Sequence, residues 1–181
     1  MVMVMFQPDD FRVEDVPEMH ALMRGMPFAA LVSAGAAGLY ASHLPTVLKD
    51  DGPYGVIECH LARANPHWID LAAGGEALMM FQGPEGYITP NWYPSKAVHG
   101  KVVPTWNFAA VHAYGRPEVM KERDWLLRHV TQLSDQQERS EAPLDTRSGT
   151  NTTEGCAHES LSLHGSKTRT HALMPLADPV A

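Results

Sequence analysis

Residues 102–120, VVPTWNFAAVHAYGRPEVM, decide the fold. Valine, tryptophan, phenylalanine and tyrosine suit a pleated, half-buried surface, and the run is long enough to form a strand that bends. Working outward, EALMMFQG (76–83) reads as a second strand and YGVIECHLA (54–62) as a third. Phe28–Ser33 and Leu39–Leu44 read as a hairpin closed by the turn AGAAG (34–38). Short helices punctuate these strands. In DVPEMHALMRGMPF (15–28), Asp15 can cap, Pro17 suits the first turn, and Val16, Met19, Leu22 and Met23 fall on one side. Pro66 opens a second helix, PHWIDLAAGG, with glycines where it should end. RDWLLRHVTQLSDQQE (123–138) is a third, with Trp125, Leu126, Val130 and Leu133 as its buried stripe. Strands outnumber helices and short turns join most of them. The class is mainly β with flanking helices (α+β), and a closed or partly closed antiparallel barrel is its economical form.

The chain of 181 residues suits one domain with a sizeable core. It carries 14 Lys and Arg against 21 Asp and Glu, a net charge of −7 with His neutral. That balance excludes broad, non-specific binding to nucleic acid, which needs a dominant basic face. Cys59 and Cys156 are too few for a disulfide framework and too far apart for a zinc pattern. A reduced, cytoplasmic setting follows. The opening MVMVMFQPDDF lacks the basic start of a signal peptide, and no window approaches the roughly 20 apolar residues of a membrane span. After Pro143 the character changes to Ser, Thr, Gly and His without either period. Residues 1–143 are therefore expected to form the domain, and 144–181 a divergent tail without regular structure.

Three segments carry polar residues that a barrel core does not need. In HLARANPHW (60–68), strand alternation puts Leu61 and Arg63 on one face, so Arg63 emerges at the strand end beside Asn65 and the start of a helix. An arginine fork there can hold a phosphate or carboxylate, or simply pair with a surface carboxylate such as Asp70. In FQGPEGYITPNWYPSK (81–96), Ser95 and Lys96 can offer a hydroxyl and a charge, while Trp92 and the tyrosines can cover a flat ring. An aromatic corner packed on the core is the plainer alternative. In VPTWNF, Thr105 and Asn107 share a face opposite Trp106 and Phe108, and must find partners or border a wet cavity. The histidines at 43, 60, 99 and 112 lie on different elements with no tight pair, so no metal is expected. There is no nucleophile elbow, no glycine-rich dinucleotide loop and no phosphate loop.

The blocks ASHLP (41–45), HLARANPHW (60–68), FQGPEGYITPNWYPSK (81–96) and VPTWNFAAVHAYG (103–115) resemble, in order and spacing, the PaiB family of FMN-binding negative transcriptional regulators. The resemblance implies an FMN-binding split β-barrel, as in pyridoxamine-phosphate oxidases and flavin reductases. It implies FMN as cofactor and a homodimer with the flavin near the subunit interface. By position it assigns Arg63 and Asn65 to the FMN phosphate, and Ser95 and Lys96 to a second polar pair. It places His43, Gln82, Thr89, Trp92, Thr105 and Trp106 around the ring and ribityl chain. It ends near residue 140, where EAPLDTRSGT begins like the family's next segment and then departs from it.

Two functions fit. One is a flavin-binding repressor in which FMN biases a partner interaction, with DNA contacted directly or through another protein. The other is a flavin-dependent oxidoreductase on the same barrel, in which the cofactor performs the electron transfer. The sequence shows no separate nicotinamide-binding module, which favours the regulator.

Overall fold

The computed structural model describes residues 8–36 and 38–138 with their side chains, and the backbone of 158–172. After a short 3-10 turn and a two-residue strand β1 (Arg12–Val13), helix α1 spans Val16–Gly25. The Asp15 carboxylate accepts from the Glu18 backbone N–H at 3.1 Å, so the helix starts where its cap requires. Strands β2 (Phe28–Gly35) and β3 (Gly38–Pro45) form the expected hairpin, followed by β4 (Val47–Lys49) and β5 (Val56–Ala62). Helix α2 (His67–Ala72) leads to β6 (Ala77–Ile88). A 3-10 turn (Pro90–Trp92) and helix α3 (Ser95–His99) connect β6 to β7 (Thr105–Met120), which is followed by α4 (Arg123–Glu138) and β8 (His158–Ala172).

One antiparallel sheet contains these strands in the order β3-β2-β6-β7-β8-β5-β4, with β1 alongside β8. Its two edge strands, β3 and β4, are separated in the chain by Thr46 alone. The sheet must therefore curl until its edges adjoin, which makes it a barrel open along one seam. Alternation decides what fills it. Ala29, Leu31 and Ser33 of β2 are buried, while Ala30 and Val32 between them are only half-buried. Leu31, Cys59, Leu61, Met79, Phe81 and Val111 are at most 1 % exposed and form the centre of the core. Each side chain buried this fully contributes about 1.5–3 kcal/mol before entropy is counted. The Cys59 thiol is pushed up to about 12 by burial, with Glu58 beside it adding, so it is an inert core residue.

The tail expectation fails for residues 158–172, whose backbone pairs with β7 on one side and β5 on the other. The Ser160-Leu161-Ser162-Leu163 run has the period-2 alternation of a strand, which the polar composition around it hides. Residues 144–157 and 173–181, like the first seven, lie outside the described residues. The short strand β4 and helix α3 are further elements that the sequence pattern does not announce.

Candidate functional site

The end of the barrel at which β5 stops is capped by α2, and its turn is held by an unbroken set of hydrogen bonds. Asn65 N–H donates to the Ala62 carbonyl at 2.8 Å, and the Trp68 indole N–H donates to the Arg63 carbonyl at 3.1 Å. The Asn65 side chain turns inward. Its amide N–H donates to Ser42 Oγ at 3.1 Å, and its oxygen accepts from the His67 backbone N–H at 3.1 Å. His67 is 0 % exposed and spans two strands of the hairpin, with Nδ1 2.9 Å from Ser42 Oγ and Nε2 2.9 Å from Ser33 Oγ. Tyr40 lies over its ring at a centroid distance of 4.7 Å. Burial holds the His67 pKa below its ordinary value of 6.5, against an opposing pull from Asp70. A neutral ring that donates at one nitrogen and accepts at the other suits two hydroxyl partners. Arg63 itself is exposed at the mouth of this turn. Since α2 has six residues, its dipole is small, and any anion grip here rests on the Arg63 guanidinium.

The remaining candidates fall into two other groups. His43 and Gln82 lie on the outer face of the sheet, both exposed. His43 pairs across the ladder with Ala30, and Ala30 with Met80, while the Phe28 ring stacks on His43 at 6.2 Å. Thr89, Trp92, Ser95, Lys96, Thr105 and Trp106 belong to an arm in which β6 and β7 run on beyond β2. A register shift between Gln82 and Glu85 marks where the arm leaves the barrel, and Pro84 within it can donate no ladder hydrogen bond. Thr89 Oγ1 accepts from the Asn91 N–H at 3.3 Å and caps the 3-10 turn. Lys96 Nζ donates to the Asn91 side chain, and Trp106 Nε1 to the Glu85 carboxylate. Trp106 meets Tyr87 at 6.0 Å, yet it stays 51 % exposed, and Trp92 is 67 % exposed. Asn91, Trp92, Tyr93, Pro94, Lys96 and Ala97 line an open recess of about 550 Å³.

The register separates these groups. Ala62, the residue before Arg63, pairs with His158, and Met120 at the end of β7 pairs with Ser160. Thr105, at the other end of β7, pairs with Ile88 in the arm. Between them runs a strand of 16 residues, a contour of roughly 50 Å at ~3.3 Å per residue. The ladder thus sets Arg63 and Asn65 at one end, and Ser95 and Lys96 at the other, with His43 and Gln82 between.

Two features escaped the sequence reading. His67 gave no signal beyond its place in a dense polar block. On α4 the residue that is 0 % exposed is His129, inside the expected stripe, which is itself only half-buried. His129 Nε2 is 3.2 Å from His60 Nδ1, and its Nδ1 is 3.8 Å from Glu58 Oε2, a contact too long for a hydrogen bond. Burial pushes the Glu58 pKa up, but His129, Lys49 and Arg128 outweigh it and hold the carboxyl below its ordinary range. Among the described residues no group of His, Cys, Asp and Glu has the arrangement of a metal site.

Residues 5–160 match the family described as "Putative FMN-binding domain". The chain belongs to this family. It is 34% identical over 137 residues to the protease synthase and sporulation protein PAI 2 of Bacillus subtilis, covering 75% of this chain and 62% of that one. It is 43% identical over 104 residues to a Saccharomyces cerevisiae protein, covering 56% and 61%. The chain thus spans about three fifths of the length of these curated relatives. The fold is similar to that of the flavocytochrome Anf3 from Azotobacter vinelandii, with TM-score 0.67, 14% identity and 93% and 73% of the two chains covered. It also resembles an FAD and heme binding protein from Mycobacterium smegmatis, with TM-score 0.65, 14% identity and coverage of 93% and 76%. A Clostridium acetobutylicum protein of the pyridoxinephosphate oxidase family follows, with TM-score 0.54, 11% identity and 87% of each chain covered. The barrel with its open seam is the split barrel of these proteins, and FMN is the cofactor of this PaiB-type family member.

The side chains present suit that group chemically. Arg63 and Lys96 are exposed cations, and Trp92 and Trp106 are exposed flat rings. No described helix is long and apolar enough to cross a membrane.

Proposed function

We propose that this protein is a PaiB-type regulator that binds FMN between two copies of itself in the cytoplasm. The carrying observation is the separation of the candidate cations along β7. With Arg63 and Lys96 at opposite ends of the ladder, one FMN served by both would draw them from different subunits. In this reading Arg63 of one subunit holds the phosphate, and the aromatic arm of the other, with Lys96, covers the flavin. The outer sheet face with Phe28, His43 and Gln82 lies between them. FMN would supply redox chemistry when bound, and its binding or redox state would bias contact with a regulatory partner. The net charge of −7 makes the isolated protein a poor general DNA ligand, so a partner or a local basic patch must supply any promoter contact.

Titration with FMN and with riboflavin tests the phosphate role. Losing a charge-assisted contact costs about 1.5–3 kcal/mol, so Arg63→Ala should weaken FMN roughly ten- to hundredfold and riboflavin little. Equal weakening of both ligands would remove Arg63 from the phosphate. Light scattering of the FMN-saturated protein should show a dimer; a monomer with full FMN affinity would overturn the shared site. Sustained NADH or NADPH oxidation by the FMN-loaded protein would move the reading to an oxidoreductase.

A further inference from the structure

We infer that His67 is a positioning residue for the phosphate grip, and that Asn65 belongs to its support and not to the ligand contacts. This deepens the reading that Arg63 holds the FMN phosphate and rests on it. Arg63 sits on a turn closed by the Asn65 N–H on the Ala62 carbonyl, so the geometry of Asn65 bears directly on where Arg63 lies. Its carbonyl is fixed by Trp68, and the next restraint along the chain is Asn65. Both polar ends of the Asn65 amide are already engaged inside the fold, on Ser42 Oγ and on the His67 N–H. An amide committed in this way is oriented by the fold, with its one remaining N–H and one remaining lone pair set by the turn and not by a ligand.

His67 closes the set. Its backbone holds Asn65 Oδ1, and its ring bridges Ser42 on β3 and Ser33 on β2. Ser42 is the hinge, because its hydroxyl meets both the Asn65 amide and the His67 ring. The hairpin, the turn and α2 are thereby tied at one buried point. Linked hydrogen bonds of this kind polarise one another and hold geometry better than separate ones. α2 is pressed close to the hairpin as well. A Cβ added at Gly35 would stand 2.3 Å from the Asp70 carboxyl carbon. A buried imidazole with two hydroxyl partners is costly to retain for packing alone, since an apolar side chain of similar volume needs no partners. Its placement two residues from Asn65 and four from Arg63 gives the cost a purpose: a misplaced guanidinium loses the phosphate.

The test compares His67→Leu, which fills the volume without partners, with His67→Gln, which keeps one donor and one acceptor. Each is titrated with FMN and with riboflavin, beside wild type and Arg63→Ala. His67→Leu should lose FMN affinity about tenfold with riboflavin affinity nearly unchanged, and His67→Gln should recover part of the loss. Ser42→Ala, which leaves the ring in place, should follow His67→Leu and serves if that variant does not fold. If Arg63→Ala abolishes the preference for FMN over riboflavin while His67→Leu and Ser42→Ala retain it, His67 is a packing residue and the inference falls alone. If wild type itself does not prefer FMN over riboflavin, the Arg63 reading falls and takes this one with it.

Discussion

The two ends of β7 are built on opposite plans. At the α2 end, His67, Ser33 and Ser42 are buried and Asn65 half-buried, and the polar atoms are spent on one another. At the arm, Trp92, Trp106, Tyr87 and Val103 are each at least half exposed, and polar contacts join near neighbours within the arm: Thr89 to Asn91, Lys96 to Asn91, Trp106 to Glu85. The first plan fixes one geometry through a buried network. The second leaves large rigid rings free to settle on whatever reaches them, at little cost in side-chain entropy. A flavin offers a small charged phosphate that demands exact placement and a broad flat ring that tolerates adjustment. The division of labour suits both halves.

Strand β8 connects the two plans, because it pairs with Ala62 near the α2 end and with Ala109 where β7 enters the barrel. Truncation after residue 143 should therefore have the largest effect. It removes the strand between β7 and β5, leaving β5 and β4 without their link to the rest of the sheet. Loss of the cooperative unfolding transition in urea is expected. An unchanged transition would return residues 144–181 to the status of a dispensable tail.

Paired glycine substitutions sharpen the contrast at smaller scale. Gly35→Ala puts a Cβ within 2.5 Å of the Asp70 carboxylate oxygens, so Asp70 must rotate or α2 must shift. A cost of about 1–2 kcal/mol is expected from such overpacking. Gly86 on the arm has nothing within 4 Å of the added atom, and alanine there should be neutral or stabilise by about 0.5 kcal/mol. Equal urea midpoints for the two variants would mean that the α2 end is no tighter than the arm.

Acid should also find the α2 end first. Burial lowers the His67 pKa from 6.5, so the unfolded chain binds the proton more readily than the folded one. Stability should fall as pH drops below 6.5 and level off below the folded pKa. Glu58 has a lowered carboxyl pKa, so its contribution is intact above 4.5 and disappears only at lower pH, as its folded pKa is passed. Melting temperatures at pH 7.5 and 5.5 therefore isolate the histidine window. His67→Gln should flatten the difference, and an identical loss in that variant would assign the window to other histidines.

Much of this architecture was legible in the sequence, for reasons that also explain what was not. The β2–β3 hairpin, β5 and β7 announce themselves by alternation and turn residues, and α1 by Asp15 and Pro17. Strand β8 did not, because Ser, Thr and Gly around the Ser160–Leu163 run dilute the period that defines a strand. Arg63, Lys96 and the aromatic block stood out as chemically unusual in their positions. Their separation could not be read, since it follows from the register of Ala62 with His158 and of Ile88 with Thr105. The same holds for His67. One histidine in a polar block carries no mark of the two serines, 34 and 25 residues earlier, that complete it.

The smallest stability effect is expected from the arm, and it is the one that defines the arm's role. Trp92 is 67 % exposed, so Trp92→Ala removes little buried area, and the urea midpoint should move by no more than about 0.5 kcal/mol equivalent. If the ring covers a flavin contributed by another subunit, the same substitution should weaken FMN and riboflavin together, by about 1 kcal/mol each, since stacking does not read the phosphate. Arg63→Ala should do the opposite and separate the two ligands. Flavin fluorescence supplies a second readout: a tryptophan stacked on the ring quenches it, and the variant should be brighter when saturated. Unchanged affinity and unchanged fluorescence would leave Trp92 outside the flavin site. A large fall in stability would show that the arm is packed against the fold, and the contrast between the two ends would disappear.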